Sequence, residues 1–294
     1  MILSVPAFAR ITDYVGIWSM EPATWATLTN TVMQLDFAAH AAHFQQQPEP
    51  RAAAEMVPAS NGSNVAIIKA QGMLMKSASS IGGTSTVQLR RDIRAAAADP
   101  TVSAILLAID SPGGTASGTF DLAADVKAAT KQKPVWAHIE DLGASAAYWI
   151  ASQADRITAN SPTALVGSIG TFQLVYDYSQ ASEQQGVRTF LFATGPLKGA
   201  GAMGTKITDE QAAYYQSLVN ATQTEFDSAV MRGRGLSAKQ LADVRHGGVM
   251  PATQAQDVGL IDAVQSLSKT LAEITKPRTT NRAARSAAPG FPQR

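Results

Sequence analysis

From residue 64 onward, near-continuous apolar runs alternate with segments of helical periodicity. Residues 65–70, V-A-I-I-K-A, form a short β-branched run that predicts a strand. Residues 84–98, with Val87, Leu89, Ile93 and several alanines, predict a helix that stops before Pro100. Residues 103–110 are apolar at nearly every position, the pattern of a parallel strand buried on both faces. That run empties into Ser111-Pro112-Gly113-Gly114. A helix over 115–131, capped by Thr115 or Ser117, comes next. A strand over 134–140 and a turn into a helix at Ser145 follow it. Further strands are expected at 156–160, 168–176 and 187–193, with a helix over 177–185. A long helix over 208–232 opens at Thr208 with Glu210 and Gln211 close to a capping box, and shorter helices are expected at 236–244 and 252–258. Repeated strand–helix–strand units imply right-handed crossovers. The expected fold is α/β, with a mostly parallel sheet flanked by helices.

The pattern changes at both ends. Residues 1–47 read as a helical arm, with Trp25, Leu28, Val32, Leu35 and Phe37 at helical spacing after Glu21. Residues 48–63, which begin P-E-P-R and include Pro58, read as a linker. The α/β unit is then 64–275, and the Arg/Ala/Thr/Pro-rich residues 276–294 are expected to be a disordered basic tail.

Composition narrows the function. Of 294 residues 45% are hydrophobic, enough for a sizeable core, while a net charge of +1 with 16% charged residues argues against a nucleic-acid partner. There is no cysteine, which excludes disulfides and thiolate metal sites and suits a reducing compartment. Pro6, Arg10 and Asp13 interrupt the apolar N-terminus, so no signal peptide is expected. No apolar window long enough for a membrane span occurs, and the chain reads as soluble and cytoplasmic. His40 and His43 have an i, i+3 spacing but no third ligand nearby, so no metal or other cofactor is expected.

Candidate chemistry centres on Gly143-Ala144-Ser145-Ala146-Ala147-Tyr148-Trp149, where a small-residue turn becomes a helix. Ser145 there is either a helix N-cap or a nucleophile beside unpaired N–H groups at the positive end of a helix dipole. A nucleophilic serine needs a base and oxyanion donors. The four histidines are poor bases: His138 lies mid-strand in an apolar run and His246 in a polar turn. A lysine serves if desolvation keeps it neutral, and Lys198 has no acidic residue from 186 to 206 to hold its charge. Gly113-Gly114 at a strand end is either an ordinary turn or a place where backbone N–H groups approach a substrate. The glycine-rich residues 199–206 lack the Lys-Ser/Thr ending of a phosphate loop, which argues against nucleotide binding.

In order and spacing, Ile109-Asp110-Ser111-Pro112-Gly113-Gly114, the Ser145 segment, Val166-Gly167-Ser168-Ile169-Gly170 and Lys198 resemble the SppA family of signal peptide peptidases. That family is a Ser/Lys branch of the ClpP/crotonase-like fold. The resemblance covers roughly residues 64–265. It implies Ser145 as nucleophile, Lys198 as general base and Ser168 as the residue orienting that lysine. Gly114 and Ala146, with Gly113, would form the oxyanion hole. It also implies a homo-oligomeric ring, no cofactor, and protein or peptide substrates. Ala146-Ala147 stand where the family usually has glycines, and Gly199-Ala-Gly-Ala-Met-Gly follows the lysine where a polar residue is common. The helical arm and basic tail without a membrane anchor are similar to the soluble head-maturation proteases of tailed phages. Those cleave scaffold and portal proteins in the procapsid. A host cytoplasmic peptidase, a catalytically silent assembly subunit and a crotonase-type acyl-CoA enzyme are the rival expectations.

Overall fold

The apolar run at 102–111 is buried on both faces, and the molecule is layered around it. A computed structural model describes residues 16–33, 54–59, 62–76 and 83–276. In chain order its strands are β1 (Trp18–Met20), β2 (Glu55–Pro58), β3 (Asn64–Gln71), β4 (Leu74–Met75), β5 (Thr84–Ser85) and β6 (Val102–Ser111). They continue with β7 (Gly113–Thr115), β8 (Val135–Ala144), β9 (Arg156–Ala159), β10 (Leu165–Gly167), β11 (Val249–Pro251) and β12 (Ala263–Val264). The helices are α1 (Pro22–Met33), α2 (Thr86–Ala98), α3 (Thr119–Ala129), α4 (Ala146–Ala151) and α5 (Ser179–Gln184). After them come α6 (Asp209–Arg234), α7 (Ala238–Val244), α8 (Ala252–Asp257) and α9 (Leu267–Ile274).

The main sheet runs β11-β10-β8-β6-β3-β2, with β9 also paired to β8. Its central pairs β3–β6, β6–β8 and β8–β10 are parallel, and the two ends, β2 and β11, are antiparallel additions. Alternation along β6 divides the core. Ile105, Leu107 and Ile109 pack with Leu89 and Ile93 of α2 and Leu122 and Val126 of α3, while Ala104, Leu106 and Ala108 pack with Ile274 of α9. This two-sided burial is what an all-apolar parallel strand requires. A small second sheet, β1-β7-β4-β5, lies at the C-terminal end of β6, where Ser111 leads through Pro112 into β7.

The mixed α/β architecture with a mostly parallel sheet is as the pattern predicts, but several elements differ. The helix expected over 115–131 begins only at Thr119, because Thr115 is held in β7 and Gly118, at φ 85°, turns the chain into the helix. Within the span expected as linker, β2 pairs antiparallel with β3. Within the expected arm, β1 pairs antiparallel with β7. The expected strand at 168–176 is replaced by β10, because Ser168 turns with φ 50° and ends the pairing. No strand forms at 187–193: the place beside β10 is taken by β11, and an aromatic run without a pairing partner gains nothing from an extended backbone. By contrast the capping box at Thr208 and Gln211 forms in full. The last helix, α9, was not expected; Ser266 caps it. His40, His43 and the tail from 277 lie outside the described residues.

His138 is fully buried on β8, its Nδ1 within 2.8 Å of Thr158 Oγ1. Burial disfavours the imidazolium and pushes its pKa down to about 4. The unfolded chain, with an ordinary histidine near 6.5, then binds the proton that the folded chain refuses. Stability is therefore expected to fall as pH drops from 6.5 toward 4, by up to about 1.4 kcal/mol per unit from this group. Denaturant titrations at pH 7 and pH 5 check it. A His138→Asn variant, isosteric in part and uncharged, is expected to lose that component of the pH dependence.

Candidate active site

The long parallel strand β8 ends at Ala144, and α4 begins at Ala146. A single residue, Ser145, makes the reversal, with φ 56° and ψ −118°. A non-glycine residue in that region carries roughly 1–3 kcal/mol of strain, which the surrounding packing must hold in place. Its backbone is fixed on both sides: its N–H donates to Gly167 O at 2.8 Å, and its carbonyl accepts from Trp149 N–H at 2.8 Å. Beneath it, Trp149 stacks on Phe226 of α6 with ring centroids 4.6 Å apart, and the Tyr148 hydroxyl donates to Leu260 O at 2.8 Å.

The cap alternative for Ser145 is not realised. Its side chain makes no capping hydrogen bond to α4. Instead Oγ lies 2.7 Å from Ser19 Oγ and 3.4 Å from Gly170 O, and the residue is fully buried. A strained strand-to-helix turn aims the hydroxyl away from its own helix.

The residues expected as oxyanion donors gather around it. A Cβ added to Gly113, at φ 98°, would lie 2.9 Å from both Ala146 N and Ser145 Cβ, so only glycine lets β7 pass this close. Ala146 supplies the first amide of α4, which has no acceptor within the helix. The Gly113 N–H donates to Ser111 Oγ at 3.2 Å and is committed to its own turn. Gly114 faces β1. The bonds Glu21 N–H to Pro112 O at 2.8 Å and Ala116 N–H to Ile17 O at 3.0 Å fix the alternation of this antiparallel ladder. That alternation makes Ser19 and Gly114 a hydrogen-bonded pair, so the Ser19 carbonyl accepts from Gly114 N–H.

Ser168 stands next to this group because the β8–β10 register aligns Ala144 with Gly167, leaving Ser145 and Ser168 as the following residues. Its N–H donates to Gly248 O at 2.7 Å and its hydroxyl to Gly247 O at 3.0 Å. Lys198 is not brought in. It sits in a run of turns, its side chain exposed and its backbone N–H bonded to Gly195 O at 3.1 Å. Neither serine hydrogen-bonds it in the single chain.

Two residues that sequence reasoning passed over contribute. Ser19 touches the candidate nucleophile, and Gly170 supplies a carbonyl 3.4 Å from both hydroxyls, an acceptor for the one that does not donate to the other. The signal for the first was slight: Trp18-Ser19-Met20 alternates apolar and polar just ahead of Pro22, the first residue of α1. His246 is exposed, its Nδ1 accepting from Gly248 N–H at 3.2 Å, and Ser145 has no histidine partner among the described residues. No helix among the described residues is long and apolar enough to cross a membrane.

Comparison with known proteins gives this arrangement a context. Residues 127–280, which include Ser145, Ser168 and Lys198, match the model of peptidase family S49. The chain is 36% identical over 170 residues to capsid assembly protease C of Escherichia phage lambda, covering 58% of this chain and 38% of that one. It is 32% identical over 166 residues to a putative protease of Methanocaldococcus jannaschii, covering 56% and 53% of the two chains. To Protease 4 of Salmonella typhi it is 30% identical over 220 residues, covering 74% and 35%. The matched part thus spans between about a third and about half the length of these relatives.

Proposed function

Because this chain belongs to peptidase family S49, whose members are consistent with a ClpP/crotonase-like fold, we propose that it is a serine endopeptidase with Ser145 as nucleophile. The observation that carries this reading is the strained turn that holds the Ser145 hydroxyl away from its helix, with the backbone at Gly113 passing close to Ser145 Cβ and the Ala146 amide. Lys198 is the general base. It takes the Ser145 proton as Oγ attacks the scissile carbonyl carbon, and the oxyanion forms against Ala146 N–H and Gly114 N–H. The proton then passes to the leaving amine as the peptide C–N bond breaks. Water, deprotonated by the same lysine, releases the acyl group and restores Ser145.

A lysine accepts a proton only when burial favours its neutral form, and the Lys198 side chain is exposed in the single chain. Its neighbours offer the means of covering it. Phe190, Phe192 and Met203 are 69%, 94% and 81% exposed, and Leu191 and Leu197 are exposed too. An apolar surface of this kind marks an interface. In this reading copies of the chain assemble into a ring that covers residues 187–203, desolvates Lys198 and brings it to a Ser145, with Ser168 orienting it. The substrates are flexible protein segments. The likeness to a capsid assembly protease favours scaffold and portal proteins of a phage procapsid in the host cytoplasm over a host peptidase's substrates.

A catalytically silent assembly subunit is the competing reading, and the exposure of Lys198 is what favours it. A fluorophosphonate probe decides between them. Labelling of the assembled protein at Ser145, located by mass spectrometry and lost in Lys198→Ala, is the expected result. No labelling at any protein concentration would leave the silent subunit.

A further inference from the structure

The nucleophile is covered by a piece of the same chain. β1 lies in a groove between two stretches of backbone, bonded to both. On one side Trp18, Ser19 and Met20 pair antiparallel with Thr115, Gly114 and Gly113. On the other, Trp18 and Phe172 exchange N–H···O bonds of 2.8 and 2.9 Å. Within that groove the Ser19 hydroxyl is 2.7 Å from the Ser145 hydroxyl, and the Ser19 carbonyl takes the Gly114 amide. Both groups that the proposed chemistry needs free, the hydroxyl and an oxyanion donor, are thereby occupied by one residue.

The anchoring is apolar and local. Trp18 and Met20 are 2% exposed and pack with Met73, Met75, Trp25 and Phe172, a cluster separate from the main core. The groove does not end where β1 ends. A cleft of about 630 Å³ opens beside Gly16–Trp18 and reaches Thr115 and Trp149. Another, of about 600 Å³, opens beside Met20 and reaches Ser168 and Gly170. A backbone groove with open clefts at both ends suits an extended chain longer than three residues.

We propose that residues 17–21 are a built-in blocking strand. They occupy the groove in which an extended substrate segment pairs with Gly113–Thr115, and they shut Ser145 off until such a segment displaces them. The segments best able to do so repeat the occupant's pattern, a small residue flanked by two large apolar ones. Ser19 sets the nucleophile's resting hydrogen bond and takes no part in the reaction. This inference rests on Ser145 being the nucleophile, and its test separates the two ideas.

Ser19→Pro, in the full chain, removes the N–H that donates to Gly114 O and breaks the pairing. Trp18→Ala keeps the backbone and removes the largest anchor, which guards against a misfolded proline variant. Two readouts are taken. The first is the rate of fluorophosphonate labelling at Ser145. The second is the affinity of a fluorescein-labelled peptide, G-I-W-S-M-E-P, measured by anisotropy in a Ser145→Ala background, where no chemistry occurs. Both variants are expected to raise the labelling rate and the peptide affinity about tenfold or more. Unchanged labelling together with unchanged peptide affinity in both variants overturns the blocking strand. Tighter peptide binding with no labelling in any variant upholds it and rejects the peptidase reading instead.

Discussion

Replacing Lys198 with alanine is expected to slow cleavage of a flexible protein substrate by about 10²–10⁴-fold, the usual contribution of a general base. Ser145→Ala is expected to cost more, on the order of 10⁶-fold, because the covalent route is then closed. The double variant is expected to be no slower than Ser145→Ala alone, since the two residues act in one step and their effects do not add. Lys198→Arg is expected to behave like Lys198→Ala: a guanidinium keeps its proton under all working conditions and cannot accept another. The measurement is kcat/KM on an unfolded protein substrate, at concentrations where sedimentation shows the assembled form. Full activity in Lys198→Ala would sink the dyad, whatever Ser145 does.

That experiment carries weight because the single chain does not itself join the pair. Sequence order placed Ser145, Ser168 and Lys198 in one motif set, yet the fold gathers only part of it. Ser145, Ser168, Gly113, Gly114 and Ala146 meet because they terminate neighbouring strands or open the helix after them, and strand register brings such ends together. The near-continuous apolar run at 103–110 and the capping box at Thr208 were legible for the same reason. Each depends on short-range physics, burial on both faces or a bond to the third residue of the helix.

What was not legible depends on partners far along the chain. The aromatic run at 187–193 has the composition of a strand, but β11, some sixty residues later, holds the edge it would need. The Trp18–Met20 strand is too short to announce itself, and it exists because β7 offers an edge almost a hundred residues away. Ser145 itself illustrates both cases. Small residues around it marked a turn into a helix, but its φ of 56° is held by backbone bonds to Gly167 and Trp149, and its contact with Ser19 follows from β1 lying along β7.

Gly114 is the second place where a single atom is expected to have a large effect. A Cβ there would lie 1.8 Å from Leu74 O, 2.6 Å from Leu74 C and 2.7 Å from Leu74 N, all backbone atoms of β4. No side-chain rotation relieves such a clash, so β7 must part from β4. Forced overpacking of this kind costs about 1–3 kcal/mol and occasionally more. At about 3 kcal/mol the Tm of Gly114→Ala is expected to fall by roughly 6–12 °C. Activity is expected to suffer independently, because a shift of about 1 Å in an oxyanion donor costs about 10²-fold. The control is Gly195→Ala, three residues before Lys198, where an added Cβ meets nothing within 4 Å. That variant is expected to stay within about 0.5 kcal/mol of the parent, as surface changes do. If Gly114→Ala matched that control in Tm and the parent protein in kcat, β7 would not be pressed between β4 and the nucleophile, and the oxyanion site assigned to its amide would fall with it.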